Sequence, residues 1–402
     1  MSPARWAARS RACSSAVLAS LLLLGGCATG AAPSPSHQQR VAAVRALEQR
    51  LLDRRARAVR DHDLQGFLGT VDRSDRALVR RQRRLFANLE QLPLARFRYR
   101  LLPGQWPRLV MQLRGYDARP VQAPVGLELR RVHGRLVVTG DRPGPEPRPW
   151  DLTRIRVERA PGVLGVFDRA MWPYAREVVA AVAAGRREVS AAVPFSWDDH
   201  VVVYCFADRR VLDAFHDVPG GGRITHLGAM TFPVYAAPGG DRLAAMRFTV
   251  LPSSVRAGQP FLGRIIRHEL THVAVGDRDD GDPVWVSEGI AEYVGARPVP
   301  PAQRRIPRVA VERARGGAQA MPASRDFNGA DQDWHYALAW MACDYIATSR
   351  GEATLWRLMT ALHAGGKGTP DARQDAVLRR VLGYDSHELA RRAAARILSI
   401  YG

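Results

Sequence analysis

Lysine is all but missing from this chain of 402 residues: Lys367 is the only one, although Lys and Arg together number 59 against 39 Asp and Glu, a formal net charge of +20 at pH 7. The basicity belongs to arginine, dispersed along the chain rather than interleaved with aromatics. No DNA- or RNA-binding motif accompanies it, so nucleic acid is not an expected partner. Such charge implies a solvated basic surface, or attraction to anionic lipid headgroups or acidic wall polymers. Cysteine is scarce as well, with four in all. Cys205 and Cys343 have no neighbours at metal-ligand spacing, which excludes a cysteine-built metal site. Both lie in apolar surroundings, so two buried thiols and a single bridge both stay open. Long apolar runs are missing after Ser36, and no later segment reads as a membrane span.

What is present begins at the amino terminus. Arg5, Arg9 and Arg11 precede an apolar run at 16–24, too short to span a membrane comfortably, and Gly25-Gly26-Cys27 follows. This is the pattern of an export signal. Leu24-Gly25-Gly26-Cys27 resembles the bacterial lipobox. That resemblance implies cleavage after residue 26, lipid on Cys27 and a protein tethered to a membrane outside the cytoplasm; the alternative is an ordinary secretory signal. Residues 27–36 are small, polar and Pro-rich, and read as a flexible tether.

The densest chemical signal is His268-Glu269-Leu270-Thr271-His272. On a helix the two histidines project from one face a turn apart, so both imidazoles can reach one metal ion with Glu269 beside them. Phe261, Leu262, Ile265, Ile266, Leu270 and Val273 recur at helical spacing around the pentapeptide, and Gly276 with the polar run 277–283 ends that helix. A second apolar segment, Val284-Trp285-Val286-Ser287-Glu288-Gly289-Ile290-Ala291-Glu292-Tyr293-Val294, begins beyond it.

Together these segments resemble the H-E-x-x-H and W-x-x-E-G-x-A-E-Y signatures of the gluzincin (MA-like) zinc peptidases. The resemblance, covering roughly residues 195 to 365, implies one Zn2+ per chain, ligands His268, His272 and Glu288, and a peptide or protein substrate. It makes Glu269 the general base and Glu292 a carboxylate that accepts the outer N–H of a ligand histidine, His268. The family supplies an oxyanion donor from a downstream helix; here that is Tyr336, with its neighbour His335 as rival. Gly228-Ala229-Met230 is similar to the strand that precedes the active helix in the aminopeptidases, but Thr231 and Phe232 replace the acid and amide that follow there. The residue that would hold a free amino terminus is therefore missing, which favours endopeptidase action. The competing class is a noncatalytic cell-envelope binding or assembly lipoprotein whose zinc is structural, closed by a fourth ligand such as His226 or His335.

The expected fold class is α+β. Residues 37–142 carry a helix followed by alternating segments near 97–101, 108–113, 125–129 and 136–139, an order that resembles the nuclear-transport-factor-like cone. The Pro-rich stretch 143–150 reads as a linker. Residues 151–402 are expected to form a thermolysin-like, MA-type peptidase domain with a helical C-terminal part.

Overall fold

The computed structural model describes residues 36–102, 104–214, 228–279, 281–364 and 369–402. Cys27, the signal, the tether up to residue 35, His226 and Lys367 lie outside the described residues. Residues 1–44 and residues 45–402 form separate compact units; of the first, only the opening turns of helix α1 (His37–Arg60) are described.

The second unit continues through α2 (Leu64–Leu68) and α3 (Arg76–Leu89) to strands β1 (Leu94–Arg100), β2 (Arg108–Leu113) and β3 (Val121–Pro124), which form an antiparallel sheet. The hairpin of β4 (Gly126–Val132) and β5 (Arg135–Arg142) forms a second sheet. The helices-then-strands order is as expected, and the strands form two sheets. Pro124, which has no N–H to give a ladder, stands at the end of β3, two residues before β4 begins.

After α4 (Pro149–Leu152) come β6 (Arg156–Ala160), β7 (Val163–Phe167), α5 (Ala175–Ala192), β8 (Val201–Cys205), α6 (Arg209–Leu212), β9 (Ala229–Tyr235) and β10 (Leu243–Val250). Five of these strands make one mixed sheet in the order β6-β7-β8-β10-β9, with β7, β8 and β10 parallel and β9 antiparallel at the edge. Every residue of β8 is buried, as a strand covered on both faces requires. Val201, Val203 and Cys205 join the core formed with the helices, whereas Val202 and Tyr204 pack with Leu52, Phe67, Phe97 and Trp150 from the N-terminal region. The core thus runs across the stretch expected to be a linker, and Pro149 and Trp150 at its end are buried.

A buried ion pair reinforces this junction. Arg247 of β10 donates to Asp117 Oδ1 (2.6 Å) and to the Tyr204 hydroxyl (2.8 Å), while Asp117 Oδ2 accepts from the Leu113 N–H (2.7 Å).

The remainder is helical: α7 (Pro252–Ala257), α8 (Phe261–Val275), α9 (Val284–Ala296), α10 (Arg308–Arg315), α11 (Gln332–Arg350), α12 (Glu352–His363), α13 (Pro370–Leu382) and α14 (Ser386–Tyr401). None of the described helices is long and apolar enough to cross a membrane. Leu262, Ile266 and Leu270 of α8 are fully buried, matching the helical spacing read from the sequence. Gly276 ends α8 with a φ of 59°, a conformation that a side chain would strain. Cys205 and Cys343 are buried free thiols; burial pushes the Cys205 thiol up to about 12.

Candidate metal centre

His268 and His272 stand one turn apart on α8, and Glu288 faces them from α9. What lets α9 come so close to α8 is Gly295, where a Cβ would meet the Arg264 carbonyl oxygen at 2.9 Å; Gly289 faces α11 instead, where a Cβ would meet the Ala339 carbonyl oxygen at 2.5 Å and Cys343 Sγ at 2.7 Å. Two glycines on α9 thus admit its neighbours, Gly295 towards α8 and Gly289 towards α11.

The three candidate ligand atoms converge. His268 Nε2 and His272 Nε2 are 3.2 Å apart, and Glu288 Oε2 lies 3.1 Å from the first and 3.7 Å from the second. Tetrahedral ligands at zinc bond lengths of about 2.05 Å stand about 3.3 Å from one another, so this triangle has the size that a zinc ion needs. The outer ring nitrogens explain why the inner ones face each other. His272 Nδ1 is 2.7 Å from Asp279 Oδ2, and His268 Nδ1 is 3.3 Å from Glu292 Oε1, an approach too bent for a formed hydrogen bond. A proton held on Nδ1 of His272 leaves its Nε2 lone pair directed at the shared point. Glu288 Oε2, buried, has no hydrogen-bond donor of its own. A cluster of buried acceptors around one point fits a cation better than it fits itself.

Electrostatics follows from that crowding. Burial lowers the His268 pKa, but Glu288 and Glu292 outweigh it and raise it to about 9. His272 is likewise raised, with Asp279 and Glu288 overcoming burial. Two Nε2 atoms 3.2 Å apart leave room for one proton between them, so the pair takes up that proton as a unit. Glu288 is held well below the usual carboxylate range by both histidines despite its burial. Glu292 is lowered to about 2, burial being overcome by Arg264 and His268.

Glu269, next to the triangle, is raised by burial against the opposing pull of the two histidines. Thr231 of β9 donates its hydroxyl to Glu269 Oε2 at 2.7 Å. Tyr336 projects from α11 with its ring centroid 6.3 Å from that of His268, and burial with the surrounding glutamates raises its phenol well above the ordinary value. His335 turns elsewhere: its Nδ1 is 2.9 Å from the Phe327 carbonyl oxygen. Glu292 pairs with Arg264, whose guanidinium lies 4.5 Å over the Trp340 ring.

The centre opens on two cavities that share Ala229, His268, Glu269 and Tyr336. One, of about 770 Å³, is also lined by Thr231, His272, Glu288 and the 276–282 turn; the other, of about 480 Å³, reaches Phe261, Arg264, Ile306 and Trp340. Among the described residues no fourth histidine, cysteine or carboxylate joins the three. Asp279, Thr231 and Asp282 were missed in the sequence. Asp279 lay inside a run read only as helix-ending, and Thr231 was noted only as a departure from the aminopeptidase pattern. Asp282 lines the larger cavity, and burial and Asp279 push it up to about 8 against the pull of Arg373.

No protein-family model and no curated protein matches the chain. Among solved structures it is similar to a variant of a two-domain M1 zinc metallopeptidase bound to L-tryptophan, with a TM-score of 0.31 and 11% sequence identity over 74% of this chain and 59% of that one. The chain thus spans less than two thirds of that structure's length, and a likeness this distant settles neither fold nor activity.

Proposed function

We propose that the protein is a zinc-dependent peptidase of gluzincin type, exported and anchored through lipid on Cys27, with residues 37–142 as an accessory domain of the nuclear-transport-factor-like kind. One observation carries the catalytic reading. The Nε2 atoms of His268 and His272 and Oε2 of Glu288 form a metal-sized triangle on the wall of a large cavity, with Glu269 beside it.

His268, His272 and Glu288 would hold a zinc ion, which would supply a Lewis acid to acidify water and polarise a carbonyl. Glu269, its Oε2 steadied by the Thr231 hydroxyl at 2.7 Å, takes the proton from the attacking water and returns it to the leaving amine. Tyr336, lining both cavities where they meet, donates its hydroxyl to the oxyanion. Asp279 keeps the His272 imidazole in the tautomer that presents Nε2, and Glu292 places its charge behind His268. β9 is the edge strand and lines the larger cavity, so an extended substrate adds to the sheet there. Thr231 stands where the aminopeptidases carry the acid that holds a free amino terminus, and internal peptide bonds are the expected target.

The test is zinc content together with cleavage of unfolded casein, for the chain from residue 28 onward and for Glu269→Gln. One zinc per chain in both forms, with cleavage only by the parent, is the expected result. One zinc and no cleavage of any peptide by the parent favours the noncatalytic binding lipoprotein, and no zinc at all removes the centre.

A further inference from the structure

The two cavities beside the candidate centre differ in charge: one is purely acidic, the other mixed. On a chain of net charge +20, the larger cavity is lined by Asp241, Asp277, Asp279, Asp282, Glu269 and Glu288 and by no arginine or lysine. The smaller has Arg264 and Arg305 in its wall beside Glu292, Asp333 and the shared Glu269. Glu269, Glu288 and Asp279 Oδ2 have their parts in the centre. Asp282 has none. Although its residue is only 6% exposed, neither of its carboxylate oxygens has a hydrogen-bond donor, and Asp279 Oδ1 is buried without one as well. Three buried acceptor oxygens without donors on one wall are rare in a folded protein and ask for a partner.

The chemistry of that partner follows from the spacing. Among the described residues the groups that converge tightly enough to cage an ion are the three ligands of the centre and the surface cluster Asp198, Asp199 and His200. The carboxylates of the cavity wall are spread instead, with Asp241 and Asp277 exposed and Asp282 deep. A spread set of acceptors suits a planar, many-donor organic cation on a flexible stem, which can meet a deep carboxylate with its head while its stem lies along Met246 and Val284 of the same cavity.

We propose that this wall is the specificity pocket for a positively charged side chain of the substrate, arginine above all, with Asp282 as inner anchor and Asp241 and Asp277 as the outer rim. The inference rests on the peptidase reading for its use but not for its test.

The test is equilibrium binding to zinc-loaded Glu269→Gln protein of labelled extended peptides that differ only by arginine or norleucine, placed at successive positions. At one position arginine should bind about tenfold tighter, the effect of a charge-assisted hydrogen bond. Adding Asp282→Asn should erase most of that preference with zinc content unchanged, whereas a merely structural lesion weakens both peptides alike. Asp241→Asn, at an exposed site that cannot disturb the core, should reduce the preference less. Equal binding of the two peptides at every position, or a preference that survives both substitutions, would overturn the pocket. Turnover by the parent protein is read separately. Arginine-selective binding with no cleavage of any peptide removes the peptidase and keeps the pocket, and cleavage indifferent to arginine does the reverse.

Discussion

Replacing Asp279 should weaken zinc binding although Asp279 is not a ligand. Its Oδ2 is 2.7 Å from His272 Nδ1, with both side chains largely buried, so the hydrogen bond is short and poorly screened. Loss of such an outer partner typically costs ten- to a hundredfold in metal affinity. The two ends of that range correspond to different substitutions. Asp279→Asn leaves an amide oxygen to accept the same N–H and loses only the charge, for which about tenfold, or about 1.4 kcal/mol, is expected. Asp279→Ala removes the acceptor as well, so the proton is free to move to Nε2 and block the lone pair; about a hundredfold, or about 2.7 kcal/mol, is expected. Glu292→Gln is the internal control. Its Oε1 is 3.3 Å from His268 Nδ1 in a bent approach while its Oε2 accepts from Arg264, so its loss should cost no more than about tenfold. The order of affinity loss should be Asp279→Ala, then Asp279→Asn, with Glu292→Gln no worse than the second. Competition against a chelating dye at fixed pH measures all three, and melting of the metal-free proteins separates loss of fold from loss of ligand orientation. That control should show little change, because removing Asp279 also relieves its repulsion of the buried Asp282. Zinc affinity of Asp279→Ala within about twofold of the parent would refute the reasoning that the imidazole is held from behind.

Three further outcomes follow from other parts of the molecule. His268 has a folded pKa of about 9 against an ordinary 6.5, so its interactions stabilise the metal-free protein fully below about 6.5 and are lost as the pH rises through about 9. Because zinc must displace the proton shared by the two histidines, its affinity should rise about tenfold per pH unit across that window, and a flat profile by dye competition contradicts the shared proton. Tyr336→Phe should lower kcat about 10²- to 10³-fold with zinc content unchanged, as measured by steady-state turnover and metal analysis; unchanged turnover removes the hydroxyl from the reaction. Asp117→Ala strands the buried Arg247 guanidinium and should cost about 3–5 kcal/mol in denaturant unfolding, and a loss under about 1 kcal/mol would mean that water reaches the arginine.

The parts of this protein that could be read from the sequence are those whose meaning is local. His268, Glu269 and His272 lie within one helical turn of each other, and Glu288 follows on the next helix, so the periodicity that builds α8 and α9 also gathers the triangle. Asp279 sits just as close in sequence but inside a polar run whose turn chemistry explains it without reference to a metal; only the folded turn shows it behind His272. Thr231, 38 residues before Glu269, and Asp117, 130 before Arg247, find their partners through sheet topology that no spacing rule reveals. β7, whose five residues are all buried, shows no alternation because helices cover one face and the N-terminal region the other. That covering also makes residues 45–402 one compact unit, with a core that passes beneath the Pro-rich stretch at 143–150. The polarity of the cleft belongs to the same class of long-range fact. Asp241 comes from the turn between β9 and β10, whereas Asp277 and Asp282 come from the loop after α8. They form one acidic wall only because β9 lies against α8, so charge that is scattered in the sequence becomes a directional feature of the site once the edge strand is in place.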